Sequence, residues 1–438
     1  MIINSNVVGI IADDLTGAND TALQFHLRGA NTQILLDDEI EPLNIAGTQT
    51  WAISTESRNV TPHEAYEKVK HTVKMFSEVL KPDYYYKKID STVRGNIAVE
   101  TLGILEVLKW DAAIVIPAFP SEGRVTVGGY HLLKGVPIER TEMARDPHSP
   151  IFESHLPTLL KSQLPEEFHG LVASLDLSTV MKGAGPIIRK LNEYIKDGKK
   201  LIIADAVSTT DIEQLVLAID KSEYNILPAG TAAAARAFSN VWFSDIETDH
   251  IKKLMPELPK FIVSGSATQI TANQIDRLEQ GDDFDENTLV ISLDLETVLG
   301  GVKDDLVNRV VSNLAENNIV VVHTSHLIRN FDGFSDESLR AELTKAELAG
   351  VITDFLSELT RQVVSKKDLI LITLGGETSY KCCAEIGATQ LQLIDEVAPA
   401  IALCLDHNAQ WIVTKSGNLG GVNTLIEILR YFDHHEAV

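Results

Sequence analysis

The sequence predicts an α/β fold of two domains, each a mostly parallel sheet flanked by helices, and three observations carry that expectation. Short β-rich runs ending in Gly, Asp, Ser or Thr recur along the chain, each followed by a longer stretch of helical periodicity, and this alternation demands a parallel sheet. The stretch from Asp245 to Lys260 is charged, carries Pro256 and Pro259 and lacks apolar periodicity, which is the composition of an inter-domain crossing. At roughly 150 residues per domain, 438 residues hold about three units or two large ones, and 44% hydrophobic against 23% charged residues is ordinary globular usage.

In chain order, the first half offers Val7–Ala12, Gln33–Leu36, Trp51–Ser54, Asp83–Lys87, Ala112–Ile116 and Lys200–Ala204 as strands. Its helices are expected near Asn19–Arg28, Pro62–Leu80, Ile97–Lys109 and Val180–Lys196, and Ala232-Ala233-Ala234-Ala235 starts another. The segment Pro117–Pro157 holds six prolines and reads as a long ordered excursion. The second half offers strands Lys260–Val263, Thr288–Leu293, Ile319–Val322, Asp368–Thr373 and Gln410–Thr414. Helices there are expected near Gln269–Leu278, Asp304–Glu316, Asp336–Val364 and Val422–Tyr431. A boundary near residue 255 separates domains 1–250 and 256–438, and no tandem repeat or low-complexity tract interrupts them.

Composition excludes several functions. A net charge of −24 repels phosphate backbones and anionic lipid, so nucleic acid is not an expected partner. Three cysteines, Cys382, Cys383 and Cys404, make neither a disulfide framework nor a C-x-x-C zinc pair, which points to a reduced cytoplasmic chain; the adjacent pair is expected to serve as small apolar residues in a helix. No apolar run reaches the roughly 18 residues of a membrane span, and no basic leader opens the chain, so a soluble, unexported protein is expected. The P-loop and dinucleotide fingerprints are absent, as is H-E-x-x-H, and His434-His435 read as a polar tail.

In open α/β sheets ligands sit beyond the carboxyl ends of the strands, so the residues just after each strand are the candidates. The first such loop is Asp13-Asp14-Leu15-Thr16-Gly17. Its adjacent carboxylates need a metal, an arginine or a substrate hydroxyl beside them, although a helix N-cap in a solvated turn accounts for them equally. Arg58, just past Trp51–Ser54, can grip a carboxylate or phosphate with two parallel N–H bonds, or pair with Glu56 or Glu64. The run from Lys87 to Asn96 gathers Lys87, Lys88, Asp90, Ser91, Thr92, Arg94 and Gly95 into an anion-binding loop that feeds a helix; helix capping by Asp90, Ser91 or Thr92 is the alternative. In the second half, Ser264 and Ser266 in one loop and Gly375, Gly376, Glu377 and Thr378 in another let backbone N–H groups approach an anion at a helix start. Thr414–Gly421 repeats that order with Lys415, Gly417 and Gly420, and the three loops together suggest a nucleotide pocket.

Ile11–Ala18, Lys88–Asn96, Pro117-Ala118-Phe119-Pro120 followed by Gly123-Arg124, Gly375–Thr378 and Lys415-Ser416-Gly417 together resemble the four-carbon acid sugar kinase family, in order and spacing over nearly the whole chain. The resemblance implies ATP-dependent phosphorylation, with Mg²⁺, of the 4-hydroxyl of a four-carbon sugar acid. D-threonate is the first expectation, giving 4-phospho-D-threonate, with D-erythronate or a 3-oxo-tetronate as alternatives; the Lys87–Thr92 loop looks more like the threonate and erythronate kinases. It also implies that the N-terminal domain binds the acid and the C-terminal domain ATP, with the active site in the inter-domain cleft. Asp14 falls where the family contacts substrate hydroxyls, Arg58 where it meets the carboxylate, and Asp90 to Arg94 where a loop closes over the acid. Ser264, Gly375 to Thr378 and Gly420 fall where it holds the nucleotide.

A carboxylate close to the attacking hydroxyl could take its proton, which leaves Asp14 and Asp90 as alternative general bases; Asp13 could assist the metal, whose ligands are unknown. Lys415 either neutralises phosphate charge or is a solvent-exposed helix-entry lysine. Two segments depart from the family pattern: Asn418-Leu419 lacks an aromatic at 419, and Pro399-Ala400-Ile401-Ala402 replaces a Pro-Gly-Val-Pro run on the adenine side. The rival expectation is a sugar-acid binding or sensing protein that closes on its ligand without chemistry, although a plain binder needs only one anion site. A homodimer is the base-rate expectation.

Overall fold

The computed structural model describes residues 6–37, 47–146, 149–244, 256–281, 288–316, 319–330 and 344–433. Most of the predicted crossing before Lys260, and His434-His435, lie outside the described residues. The chain divides into two compact units, Met1–Thr248 and Asp249–Val438.

The first unit contains strands β1 (Val8–Ala12), β2 (Thr32–Leu35), β3 (Thr50–Ser54), β4 (Tyr84–Lys88), β5 (Ala112–Ile116), β6 (Arg124–Val127), β7 (Tyr130–Leu133), β8 (Val136–Pro137), β9 (Val172–Leu175), β10 (Leu201–Ala204) and β11 (Ile226–Gly230). Its main sheet runs β2-β3-β1-β4-β11-β5-β10-β9 with every pairing parallel. β1, β3 and β5 are buried along their whole length, as strands covered on both faces must be. The chain lays β2 and β3 on one side of β1 and then crosses to β4 on the other. Such a reversal splays the connecting loops apart and opens a crevice at the carboxyl ends of β1, β3 and β4.

The first helix, α1 (Leu15–His26), begins four residues earlier than its apolar pattern predicts, because Asp14 caps it by accepting the Gly17 N–H. The predicted helix Val180–Lys196 is two, Leu177–Val180 and Ala184–Lys196, parted by Gly183 at φ +87°. β11 escaped the sequence pattern because Pro228 sits in it; the strand is nonetheless central, and its ladder to β4 starts only at Ala229. The proline-rich excursion is ordered as the antiparallel sheet β6-β7-β8. Asp205 anchors it by accepting the Gly128 and Gly129 N–H groups of its first turn at 2.7 and 2.9 Å.

The second unit contains β12 (Lys260–Ser264), β13 (Thr288–Ser292), β14 (Ile319–His323), β15 (Ile370–Leu374), β16 (Gln390–Ala398), β17 (Ile401–Asp406) and β18 (Trp411–Lys415), ordered β13-β14-β12-β15-β18-β17-β16. The first five in that order are parallel, and β16 and β17 form an antiparallel hairpin where the sequence pattern offered no strand. Ala400 turns that hairpin at φ +62°. The long helix expected from Asp336 is described from Lys345 to Val364, opened by a capping box between Thr344 and Glu347; residues 331–343 are outside the described residues. Cys382, Cys383 and Cys404 are buried free thiols, and burial pushes those of Cys382 and Cys404 up to about 12, which suits packing and not redox chemistry. Among the described residues no helix is long and apolar enough to cross a membrane.

Candidate active site

Three loops that the sequence separates by tens of residues meet at the crevice of the first unit. Arg58, just after β3, is the hub. Its Nε and Nη2 donate to the two Asp13 carboxylate oxygens at 2.8 and 2.9 Å, and its Nη1 donates to Asp14 Oδ2 at 2.6 Å. Asp90 Oδ1 stands 3.9 Å from Nη2. Neither Glu56 nor Glu64 takes part, so the partners are the acids at the ends of neighbouring strands and not those nearby in sequence. Burial alone would raise the Asp13 carboxyl, but Arg58 and Lys87 outweigh it and hold it below the ordinary range.

Asp90 is fixed in the same way. Arg94 Nε and Nη2 donate to it at 2.8 and 3.1 Å, Thr92 donates a short hydrogen bond, and Arg94 Nη1 reaches Asp146 at 2.8 Å. Burial works against its ionised form, yet Arg94 and Arg58 keep it well below the usual carboxylate range. Asp90, Ser91 and Thr92 do not cap the following helix: Asn96 holds that position, without a side-chain cap, and instead donates to the Ser57 and Val60 carbonyls. Val93 at φ +60° and Gly95 at φ +87° complete a tightly turned loop, and Glu56 at φ +44° strains the neighbouring one. Lys87 is sequestered in a buried ion pair with Glu100 at 2.6 Å, whereas Lys88 is buried with no hydrogen bond or ion pair among the described residues. A Cβ at Gly17 would lie 2.9 Å from Lys88 Nζ and 2.6 Å from Asp14 Oδ1, so only glycine admits both groups there.

Two residues of this crevice, Asp20 and His131, went unnoticed in the sequence, and a third, Glu56, stood there only as a possible partner of Arg58. Asp20 follows Gly17 by one turn on the same helix face; burial raises its carboxyl to about 6 against the pull of Lys88, and among the described residues only Thr21 hydrogen-bonds its side chain. Burial pushes the Glu56 carboxyl to about 8, despite hydrogen bonds from the Ser54 hydroxyl at 2.5 Å and the Leu15 N–H at 3.1 Å. His131 on β7 is fully buried; its Nε2 sits 2.9 Å from the Ser91 carbonyl and its Nδ1 3.0 Å from the Thr126 hydroxyl, and burial lowers it to about 4. We assign a neutral ring that donates from Nε2 and accepts at Nδ1. The Gly17-to-Asp20 spacing was the one available signal; the other two depend on folding at a distance.

The second unit gathers a different set. Ser264, Leu374 and Lys415 stand level at the ends of β12, β15 and β18, and the Gly375 N–H donates to the Lys415 carbonyl at 2.8 Å. Cβ atoms built on three glycines show how close the loops lie: from Gly265 to Thr378 Oγ1 2.5 Å, from Gly417 to Ser266 Oγ 2.5 Å, and from Gly375 to Thr378 Oγ1 3.3 Å. Thr268 and Thr271 hydroxyls both donate to the Gly417 carbonyl, at 2.7 and 2.8 Å, and Gly420 turns at φ +84° against Thr424. Gly376 and Glu377 open the helix Gly376–Glu385. The Ser264 hydroxyl is fully buried without a hydrogen-bond partner among the described residues, an unmet donor at the head of the cradle. Lys415 is not the solvent-exposed lysine of one expectation: it is wholly buried, donates to the Ser416 carbonyl at 2.9 Å, and burial lowers it to about 7. His323, also missed, ends β14 beside Ser264 and donates to or accepts from the Ser325 hydroxyl at 2.9 Å.

Two family models match the chain end to end in sequence order: a sugar-binding N-terminal domain over residues 8–238 and a nucleotide-binding C-terminal domain over residues 261–425. A D-erythronate kinase of Heliobacterium modesticaldum is 28% identical, over 98% of this chain and 97% of that protein. A D-threonate kinase of Salmonella typhimurium is 26% identical, over 97% and 98%. The chain belongs to the four-carbon acid sugar kinase family. The fold of this kinase is shared with solved proteins of Haemophilus influenzae (TM-score 0.70, 22% identity, 97% of this chain and 100% of that one) and Salmonella typhimurium LT2 (TM-score 0.76, 19% identity, 97% and 99%).

Proposed function

We propose that this kinase transfers the γ-phosphoryl group of ATP to the 4-hydroxyl of D-threonate, giving 4-phospho-D-threonate. The observation that carries the reading is the presence in one chain of two unlike ligand sites: an arginine-centred acid and hydroxyl crevice, and a glycine cradle headed by the unpartnered Ser264 hydroxyl. A sensing protein would have no use for the second. D-erythronate is the second candidate, supported by the 28% identity to a D-erythronate kinase.

ATP supplies the phosphoryl group, and the cradle fits its phosphates, because Gly375, Gly417 and Gly420 stand where a side chain would fill the space. In the crevice, Asp14 has both oxygens committed, to Gly17 N–H and to Thr16 and Arg58, so it orients hydroxyls instead of accepting protons. Asp90, held anionic by Arg94 and Arg58, is a weak base. Asp20, raised to about 6 and with one oxygen open, is the carboxylate best matched to take the proton of the attacking hydroxyl.

Coupled ADP release with ATP, Mg²⁺ and a panel of D- and L-threonate, D- and L-erythronate and 3-oxo-tetronates tests the reading. D-threonate is expected to turn over fastest. If no acid released ADP above the blank while one raised the melting temperature, the sensing alternative would replace it.

A further inference from the structure

We infer that Arg124, the first residue of β6, is the anchor for the substrate's carboxylate. The inference rests on the acid-sugar reading above and deepens it.

The argument is an inventory of cations. A carboxylate drawn into the crevice needs a positive partner with free donors, and an arginine fork satisfies both its oxygens at once. Arg58 already spends three of its five N–H groups on Asp13 and Asp14, and Arg94 three of its five on Asp90 and Asp146, so each has only two left for a ligand. Breaking either set to admit a substrate would strand buried carboxylates. Lys87 is spent on Glu100. Arg124 differs from all of them: it is 7% exposed, its guanidinium makes no hydrogen bond or ion pair among the described residues, and its Nε is buried without any partner.

A guanidinium whose Nε is shut off from water with nothing to bind is costly unless a ligand completes it. Its position fits that ligand. Arg124 feels the attraction of Asp90, Glu122 and Asp20 and the repulsion of Arg94, and pairs with none of the three carboxylates among the described residues. The excursion that carries it is rigidly placed. Its backbone pairs with Phe119, Thr126 two residues on bridges to Ala206, and His131 on the partner strand holds the Ser91 carbonyl of the Asp90 loop. The arginine therefore reaches the crevice from outside the main sheet, within electrostatic reach of Asp90 and Asp20. Among the described residues of the crevice Lys88 is the other unpaired cation, but its Nζ lies beside Gly17, the end proposed above to handle hydroxyls.

The test is titration calorimetry of the full chain with D-threonate, D-erythronate and the uncharged four-carbon polyols threitol and erythritol, for wild type, Arg124→Gln and Arg124→Lys. Arg124→Gln should weaken acid binding about 100-fold, as expected for loss of one partner of a buried charge pair. Polyol and ATP affinities should stay within about twofold. Arg124→Lys keeps the charge without the fork and should lose about tenfold on the acid alone, which preserves the test if the glutamine variant does not fold. Acid affinity unchanged in both variants, or equal losses for acid and polyol, would overturn the inference and leave Arg124 a structural residue. If wild type binds none of the acids, the acid-sugar reading itself fails and the inference goes with it.

Discussion

The crevice of the first unit packs Asp13, Asp14, Asp90, Arg58 and Arg94 into mutually neutralising pairs, whereas the cradle of the second unit, from Ser264 to Gly420, offers hydroxyls, bare backbone and one fully buried lysine. The contrast shows two ways of preparing a polar site. Paired charges fix side-chain positions at a desolvation cost, and they leave selectivity to the few groups that stay unpaired, here Lys88, Arg124 and Asp20. A glycine cradle avoids that cost by presenting fixed backbone donors, and its selectivity is one of shape. Damage to the first should therefore appear in stability as well as binding, and damage to the second in nucleotide binding alone.

The largest effect should come from Arg58→Ala. It strands the Asp13 and Asp14 carboxylates beneath the surface, and a loss of about 3–5 kcal/mol is expected for a broken buried pair, with no measurable turnover. Urea unfolding reads this directly, and a loss under about 1 kcal/mol would mean the acids find water instead, so that the cluster is not the preorganised frame described here.

The next concerns pH. His131 titrates near 6.5 when unfolded and about 4 when folded, so between those values the unfolded state binds more protons. Its contribution is complete above pH 6.5 and is lost as pH falls toward 4, up to about 3 kcal/mol in all. His131→Gln, which can still donate to the Ser91 carbonyl, should flatten the acid side of the stability profile between pH 7 and 5. An unchanged slope would remove His131 from the account. Glu56 acts in the opposite sense: its folded carboxyl is raised to about 8, so its contribution is complete below pH 4.5 and declines as pH rises toward 8.

Gly417→Ala sharpens the comparison from the other side. Its Cβ would lie 2.5 Å from Ser266 Oγ, and a loss of about tenfold in ATP affinity with unchanged sugar-acid affinity is expected from such overpacking. An equal loss for the acid would show that the two loop sets are not independent. Smallest of all, Ser264→Ala should raise the KM for ATP about fivefold, the worth of one hydrogen bond, without lowering the melting temperature, since the hydroxyl has no partner to lose. A drop in stability would mean that the hydroxyl already serves the fold.

Much of the site was legible as a list of loops. The Asp13-Asp14, Arg58 and Lys88–Arg94 segments each follow a strand, and strand ends are where α/β sheets place ligands. Their partners were not legible. Arg58 had Glu56 and Glu64 close in sequence and chose neither, because β1, β3 and β4 lie side by side although some forty residues of chain separate their ends. Lys415 and Lys88 both follow apolar runs, and nothing local distinguishes a lysine buried to the last atom from one left unpaired at the crevice.

By itself, the sequence determined the α/β class, the segments that become parallel strands and the loops that gather at their carboxyl ends, because apolar period and turn residues act over a few neighbours. Tertiary structure alone decided the antiparallel β16–β17 hairpin, the central place of the proline-bearing β11, and which charges are neutralised and which remain open. Strand order sets those distances, and the strength of a charge pair depends on distance and burial, neither of which a one-dimensional spacing contains.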